Sequence, residues 1–229
     1  IPGSANPLLL ISADSGYKIE RSLRFNSGDS AYLNRTPSSA GNRKTWTWSG
    51  WVKRSVVATG NPGLFQAYDG PDSFTCIRFL TNTIEVLTLN SSTYTNGIRV
   101  GTTTTFDDTS DWIHIVVAFD TTQSAVADGV RIWVNNEQQS VSVKNGSYQQ
   151  NYNHYINKVS TPHEIGKYNT SAINDYYLAD VNFVDGQALS ASEFGEYNPF
   201  GQWIAKVYTG DYGTNGFNLK FSAMGLDNA

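Results

Sequence analysis

Apolar and polar residues alternate along this chain in short stretches, and clusters of Gly, Asn, Asp and Pro break each stretch before it runs far. A period of two over a few residues marks a half-buried β-strand, and the 3.6-residue period of an amphipathic helix is nearly missing. The pattern predicts strands near 8–12, 22–26, 30–34, 45–54, 63–68, 74–81, 83–89, 97–105, 112–120, 129–135, 138–143, 163–168, 177–185 and 217–221. In Thr45 to Lys53 one face carries Trp46, Trp48, Gly50 and Val52, and Trp51 falls on the other with Thr47 and Ser49. In Gly129 to Asn135 the apolar face is Val130, Ile132 and Val134, and Asn135-Asn136 supplies residues tolerant of positive φ for a tight hairpin. Trp112 to Phe119 is apolar on both faces apart from His114, as a central strand should be. These parities nominate Trp46, Trp48, Ile115, Val117, Phe119, Ile132, Val134 and Val181 for the core.

One stretch reads as helical. Ser190-Ala191-Ser192-Glu193 has capping-box spacing, in which the first serine accepts from a backbone N–H and the glutamate reaches back, and Phe194 gives the turn something to bury. With helix confined to 190–196, less than about a tenth of the chain should be helical, as in a two-sheet antiparallel sandwich.

Composition narrows the function. Charged residues are 16% of the chain and the formal net charge is -4, so no basic field exists to gather phosphates, and nucleic acid is excluded as a partner. The apolar run Leu8 to Ile11 is far too short to insert in a membrane. A lone cysteine, Cys76, forbids an internal disulfide and reads as a small buried hydrophobe in the run Phe74 to Leu80. The lack of disulfides suits folding in a reducing cytoplasm followed by release by another route. The sequons at Asn34, Asn90, Asn145 and Asn169 are no more than this Asn-, Ser- and Thr-rich composition yields by chance. The chain opens on Ile rather than Met, which predicts a fragment or a processed product.

Several segments together resemble the concanavalin A-like jelly rolls of the laminin G-like and pentraxin-like kind. Thr45-Trp46-Thr47-Trp48-Ser49-Gly50-Trp51-Val52-Lys53 is similar to that class's early aromatic strand ending in Trp-Val-Lys. Trp112-Ile113-His114-Ile115-Val116-Val117-Ala118-Phe119-Asp120 is similar to its Trp-x-His strand, and Val130 to Asn136 to the hairpin strand that follows. Ile165-Gly166, Ala179 to Phe183 and Ala188 to Phe194 resemble its closing signature. The likeness covers roughly 20–195. It implies an N-terminal strand or linker over 1–19, a lectin-like domain over 20–198, and a C-terminal extension over 199–229 that packs on the sandwich or leaves it. A narrower stretch, 176–221, with Val184-Asp185-Gly186-Gln187-Ala188-Leu189 and Tyr208 to Phe221, resembles tail-fibre and other virion structural proteins of bacteriophages. Such proteins commonly continue beyond the point where this chain stops, at Ala229. The resemblance implies a non-catalytic adhesive module on a virion surface, outside the cell. Its partners would be a host surface glycan or neighbouring virion proteins, and it would form a homo-oligomer, a trimer first. The rival reading is a free secreted carbohydrate-binding module.

Catalysis finds little footing. The laminarinase-like enzymes of this fold carry an E-x-D-x-x-E strand, because retaining hydrolysis needs two carboxyls about 5 Å apart. None of Glu20, Glu85, Glu137, Glu164, Glu193 and Glu196 has Asp two residues later, which leaves only a hydrolase built from loop carboxylates. No G-x-S-x-G elbow or H-E-x-x-H pair occurs, and the three histidines are His114, His154 and His163. His114 reads as a hydrogen-bonded interior residue. No cofactor is expected. Calcium is the one candidate, at Asp69 with Asp72 or at Asp107 with Asp108 and Asp111, but neither cluster has the spaced ligand ladder of a dedicated loop.

Two polar-aromatic loops are the candidate binding site. Asn145 to Tyr155 offers Tyr148, Tyr152 and Tyr155 among amides, and the second loop offers Tyr168, Asn174, Asp175, Tyr176 and Tyr177. Aromatic faces can stack on sugar rings and amides can pair with hydroxyls. The same rings would equally suit contacts between subunits. No strand period assigns them to the core, so Tyr148, Tyr152 and Tyr155 are expected to become buried in the working assembly or on binding a ligand.

Overall fold

The computed structural model describes residues 17–57, 60–90, 97–171 and 174–221. The segment 8–12 lies outside them. In chain order the strands are β1 (Leu23–Phe25), β2 (Leu33–Arg35), β3 (Thr45–Arg54), β4 (Gly63–Tyr68), β5 (Ser73–Leu80), β6 (Thr83–Asn90), β7 (Ile98–Thr102) and β8 (Ile113–Asp120). They continue as β9 (Val130–Val134), β10 (Glu137–Gln138), β11 (Val141–Gly146), β12 (His163–Ile165), β13 (Tyr176–Asp185), β14 (Gly195–Tyr197), β15 (Trp203–Ala205) and β16 (Phe217–Leu219).

Two antiparallel sheets carry the fold. The front sheet runs β1-β13-β3-β8-β9-β10, with β16 pairing the same edge of β13 further along its length. The back sheet runs β11-β7-β6-β5-β4-β12-β2, and β14 and β15 form a separate hairpin. Neighbours in these orders are often distant in sequence, which makes the sandwich a jelly roll rather than a meander. Register follows from parity: Trp46 faces Phe119 across β3 and β8 with rings stacked 5.1 Å apart, and Trp48 faces Val117. A one-residue slip would turn every such ring to the wrong face. Gly50 is required beside them, since a Cβ there would stand 2.8 Å from the Trp48 ring.

The inter-sheet core contains all eight residues nominated by parity, from Trp46 to Val181. Asn135 and Asn136 both adopt left-handed φ, 49° and 71°, and close the β9–β10 hairpin as the sequence predicts. Among the described residues helix is confined to the single turn α1 (Val126–Gly129) and two three-residue 3₁₀ turns. The capping box at Ser190 does not form. The Glu193 N–H donates to the Ser190 carbonyl rather than to its side chain, and the Ser190 hydroxyl pairs with that of Ser192 instead of with a backbone N–H. Boundaries also move: the strand expected over 97–105 ends at Thr102 and that over 30–34 begins at Leu33. Asn145 and Gly146 belong to β11, paired with Arg99 and Ile98, and the strand expected over 163–168 stops at Ile165, where Gly166 turns to φ +85° against the Phe25 ring.

A third layer lies on the outside of the front sheet. Val116, Ala118, Trp133 and Val184 face outward from it and are covered by Ala191, Phe194 and Tyr208 of the segment after β13. That cover is incomplete. It leaves the part of the sheet around Trp51, His114 and Ala179 to form the floor of a groove.

Candidate functional site

The residues expected to bind are mostly committed within the monomer. The Tyr148 hydroxyl shares its one proton between the carbonyls of Asp120 and Gln123, and the ring lies over Gly129, where a Cβ would stand 2.0 Å from that hydroxyl. Burial, then the nearby carboxylates of Asp120 and Asp128, pushes this phenol up to about 12. Tyr155 sits in the inter-sheet core at 8% exposure, and its hydroxyl donates to the Asn90 side-chain oxygen while the Asn90 amide donates to the Tyr152 hydroxyl. Between these rings His154 pairs with the Thr88 hydroxyl and stands edge-on to Phe119, 4.2 Å away; burial pushes it down to about 3. The cavity beside Tyr148, Tyr152 and His154 has a volume of only about 10 Å³, room for a single water at most. The segment thus closes one end of the sandwich. The premise that these rings lack partners is corrected: a segment crossing between sheets has no strand period, yet each ring fills a gap at the sandwich end.

The second loop is split among three places. Tyr176 is a core residue, its hydroxyl donating 2.6 Å to the Gly63 carbonyl, and Asn174 is buried with its amide on the Gly166 carbonyl. Asp175 accepts from the Ser27 N–H. Tyr168 lies on the outside of the back sheet, edge-on to Phe74 and 4.6 Å under the Arg78 guanidinium. Tyr177 has the opposite parity to Tyr176 and reaches the outside of the front sheet, 6.5 Å from Trp112.

Among the described residues no group of three His, Cys, Asp or Glu side chains is placed to hold a metal. Asp69 is engaged by Lys158 and the Thr161 hydroxyl, and Asp108 by Ser110. The two buried glutamates are likewise taken: Glu85 by Arg78 at 3.0 Å and Arg99 at 3.6 Å, and Glu164 by Gln66 at 2.6 Å and Lys167 at 2.7 Å.

The groove outside the front sheet is the larger opportunity, with a volume of about 550 Å³. This is the range of small-molecule sites. Trp51 and Trp112 come from the sheet, Trp203, Ile204 and Ala205 from the β14–β15 hairpin, and residues 17–22 form the far wall. The floor is built by register. Trp51 and His114 are cross-strand partners with rings 4.9 Å apart, and the Trp203 ring lies 6.0 Å from the imidazole and 29° from parallel to it. The Trp203 indole N–H donates 3.0 Å to His114 Nδ1, so Nδ1 is the acceptor nitrogen, and Nε2 carries the proton that it donates 2.8 Å to the Ser49 hydroxyl. Burial holds His114 neutral by pushing it down to about 3, which keeps this tautomer and the Trp203 orientation fixed. His114 is thus the hydrogen-bonded interior residue its strand position implies. Gly195 completes the geometry, since a Cβ there would stand 2.3 Å from the Trp203 ring. Sequence reasoning missed this groove. The outward parity of Trp51 was the available signal, but nothing local shows that Trp203 returns to cover His114.

No protein-family model matches the chain, and no curated protein is similar to it. Solved structures do match. A native heptameric SAP-like pentraxin from Limulus polyphemus aligns with a TM-score of 0.54 at 11% identity, covering 89% of this chain and 96% of the pentraxin. The botulinum neurotoxin serotype G binding domain aligns at 0.53 and 12% identity over 75% of this chain and 41% of that one. The binding domain of botulinum neurotoxin DC in complex with SialylT aligns at 0.50 and 10% identity, again over 75% of this chain and 40% of that one. The chain spans about two fifths of the length of the toxin domains. At such identities the likeness is one of fold, and it places this chain among jelly-roll β-sandwiches.

Proposed function

We propose that the chain is a non-catalytic binding module that holds a glycan in the tryptophan-lined groove outside the front sheet. The observation that carries this reading is the set of indoles of Trp51, Trp112 and Trp203 around one open groove, two of them locked in place by His114. Flat, rigid rings lose little conformational freedom on binding, and their π-faces suit the C–H face of a sugar ring. Two facts support it. The fold is shared with structures named as binding domains, one of them in complex with SialylT, and the buried glutamates are bound to cations and side-chain amides rather than paired across a cleft. The resemblance of 176–221 to phage structural proteins supports a place on a virion surface, with a host glycan as ligand and copies of the chain assembled into a homo-oligomer.

The test is a glycan array carrying neutral, amino-sugar and sialylated glycans, probed with the native chain and with Trp112→Ala. Binding that falls at least about tenfold in the variant supports the groove, since a stacked aromatic anchor is worth about 2 kcal/mol or more. Binding that survives unchanged, or an array with no bound glycan, contradicts it.

A further inference from the structure

A second cavity of about 240 Å³ adjoins the groove, and residues Tyr17 to Glu20 form a wall of both. Its other walls are Asp180 and Lys220. Asp180 stands where the pairing of β13 with β3 slips between Ala179 and Asn182, with φ +44°, a conformation that Asp tolerates better than most residues. It is only 4% exposed. One carboxylate oxygen, Oδ1, accepts from the Tyr17 hydroxyl at 3.1 Å and from the Asn218 amide at 3.0 Å. A carboxylate has about four lone-pair sites, so two donors leave it acceptor capacity. Lys220 is exposed and lies 5.5 Å from the Tyr17 ring. Among the described residues Asp180 makes no ion pair with it or with any other cation. An acceptor and a donor of opposite charge therefore share the walls of one small cavity without joining.

We propose that this cavity is a second sugar subsite, in which a neutral saccharide unit donates a hydroxyl to Asp180 and accepts from Lys220. The proposal rests on the groove as the site of the first unit. Three features fix the ligand class. The volume falls below the roughly 300 Å³ at which pockets for drug-sized ligands begin, so it suits one ring rather than an extended group. Among the described residues of the walls, Asp180 and Glu20 balance Lys18 and Lys220, which gives no net charge to draw an anionic sugar. The shared wall at Tyr17 to Glu20 places the subsite next to the indoles, so the ligand is an oligosaccharide with one unit stacked on tryptophan and another read by its hydroxyls.

The same glycan array, with affinities then measured by calorimetry for the bound glycans and for their component monosaccharides, tests this. Lys220→Ala changes an exposed side chain, and Asp180→Asn keeps an oxygen to accept from Tyr17 and Asn218, so both variants retain the fold; thermal unfolding verifies this. Each is expected to weaken binding of neutral glycans of two or more units by about tenfold, the loss of one charge-assisted hydrogen bond, and to change monosaccharide affinity by less than about twofold. Equal affinity of both folded variants for the longer glycans overturns the subsite and leaves the groove standing. A preference for sialylated glycans, or equal loss for monosaccharides, also overturns it. An array that binds nothing removes groove and subsite together, and binding lost with Trp112→Ala but not with Lys220→Ala separates the two.

Discussion

Strand β3 carries Trp46, Trp48 and Trp51 and uses them in two unlike ways. Trp46 and Trp48 point between the sheets and are fully buried, one stacked on Phe119 and the other laid over Gly50. Trp51 points outward, is partly exposed, and stacks on His114 at the floor of the groove. Residue type is the same and local sequence is the same; parity alone separates stability from recognition. Inward, a ring is surrounded on all sides and its removal leaves a void. Outward, a ring is held from beneath while part of it stays open to a ligand.

A substitution on the inner face should cost the most. Trp48→Ala should lower stability by about 3–5 kcal/mol, measured by urea unfolding, because the cavity cannot close between two sheets. A small loss would mean that the inner face is not the packed layer described here.

Acid should destabilise the fold through its buried histidines. Folded, His114 and His154 stay neutral down to about pH 3 and His163 to about pH 4, in each case chiefly through burial, whereas histidines in the unfolded chain take up protons from about pH 6.5. The folded pKa is the lower one, so this stability is complete above pH 6.5 and drains away as pH falls toward 3. At pH 5 the loss is about 2 kcal/mol for each of His114 and His154, visible as a falling unfolding midpoint. The loss at His154 should disappear in a His154→Gln variant compared at the two pH values.

The smallest effect sharpens the contrast between the groove and the tyrosine loop. Tyr148→Phe removes one donation shared between two carbonyls and should lower stability by about 1 kcal/mol, with glycan binding unchanged on the array. Weaker glycan binding with intact stability would return the site to the loop over 145–157.

Much of the fold was legible because each long strand shows either a period of two or a short apolar run closed by turn residues. β3 and β9 are read directly from alternation, β8 from a run apolar on both faces, and Asn135-Asn136 announces its own turn. Four three-residue strands, β1, β2, β12 and β16, were still legible, but the other short elements were not. β14, β15 and α1 have too few residues to show a period, and the capping box at Ser190 is a local pattern that a tighter backbone turn displaces. The site was hidden for a different reason. Tyr155 and Tyr176 look free because nothing local predicts that the sandwich closes over them, and Trp203 looks incidental because its partner, His114, lies 89 residues earlier. Rings in loops need a partner, and here the partner is most often the protein itself.

The most direct test of the groove follows the indole N–H signals of the six tryptophans by NMR while a glycan selected on the array is added. The signals of Trp51, Trp112 and Trp203 should shift with saturation, while those of Trp46 and Trp48 stay in place. Shifts confined to the backbone signals of Tyr148, Tyr152 and Tyr155, with all indoles still, would contradict the assignment of recognition to the outer face of the front sheet.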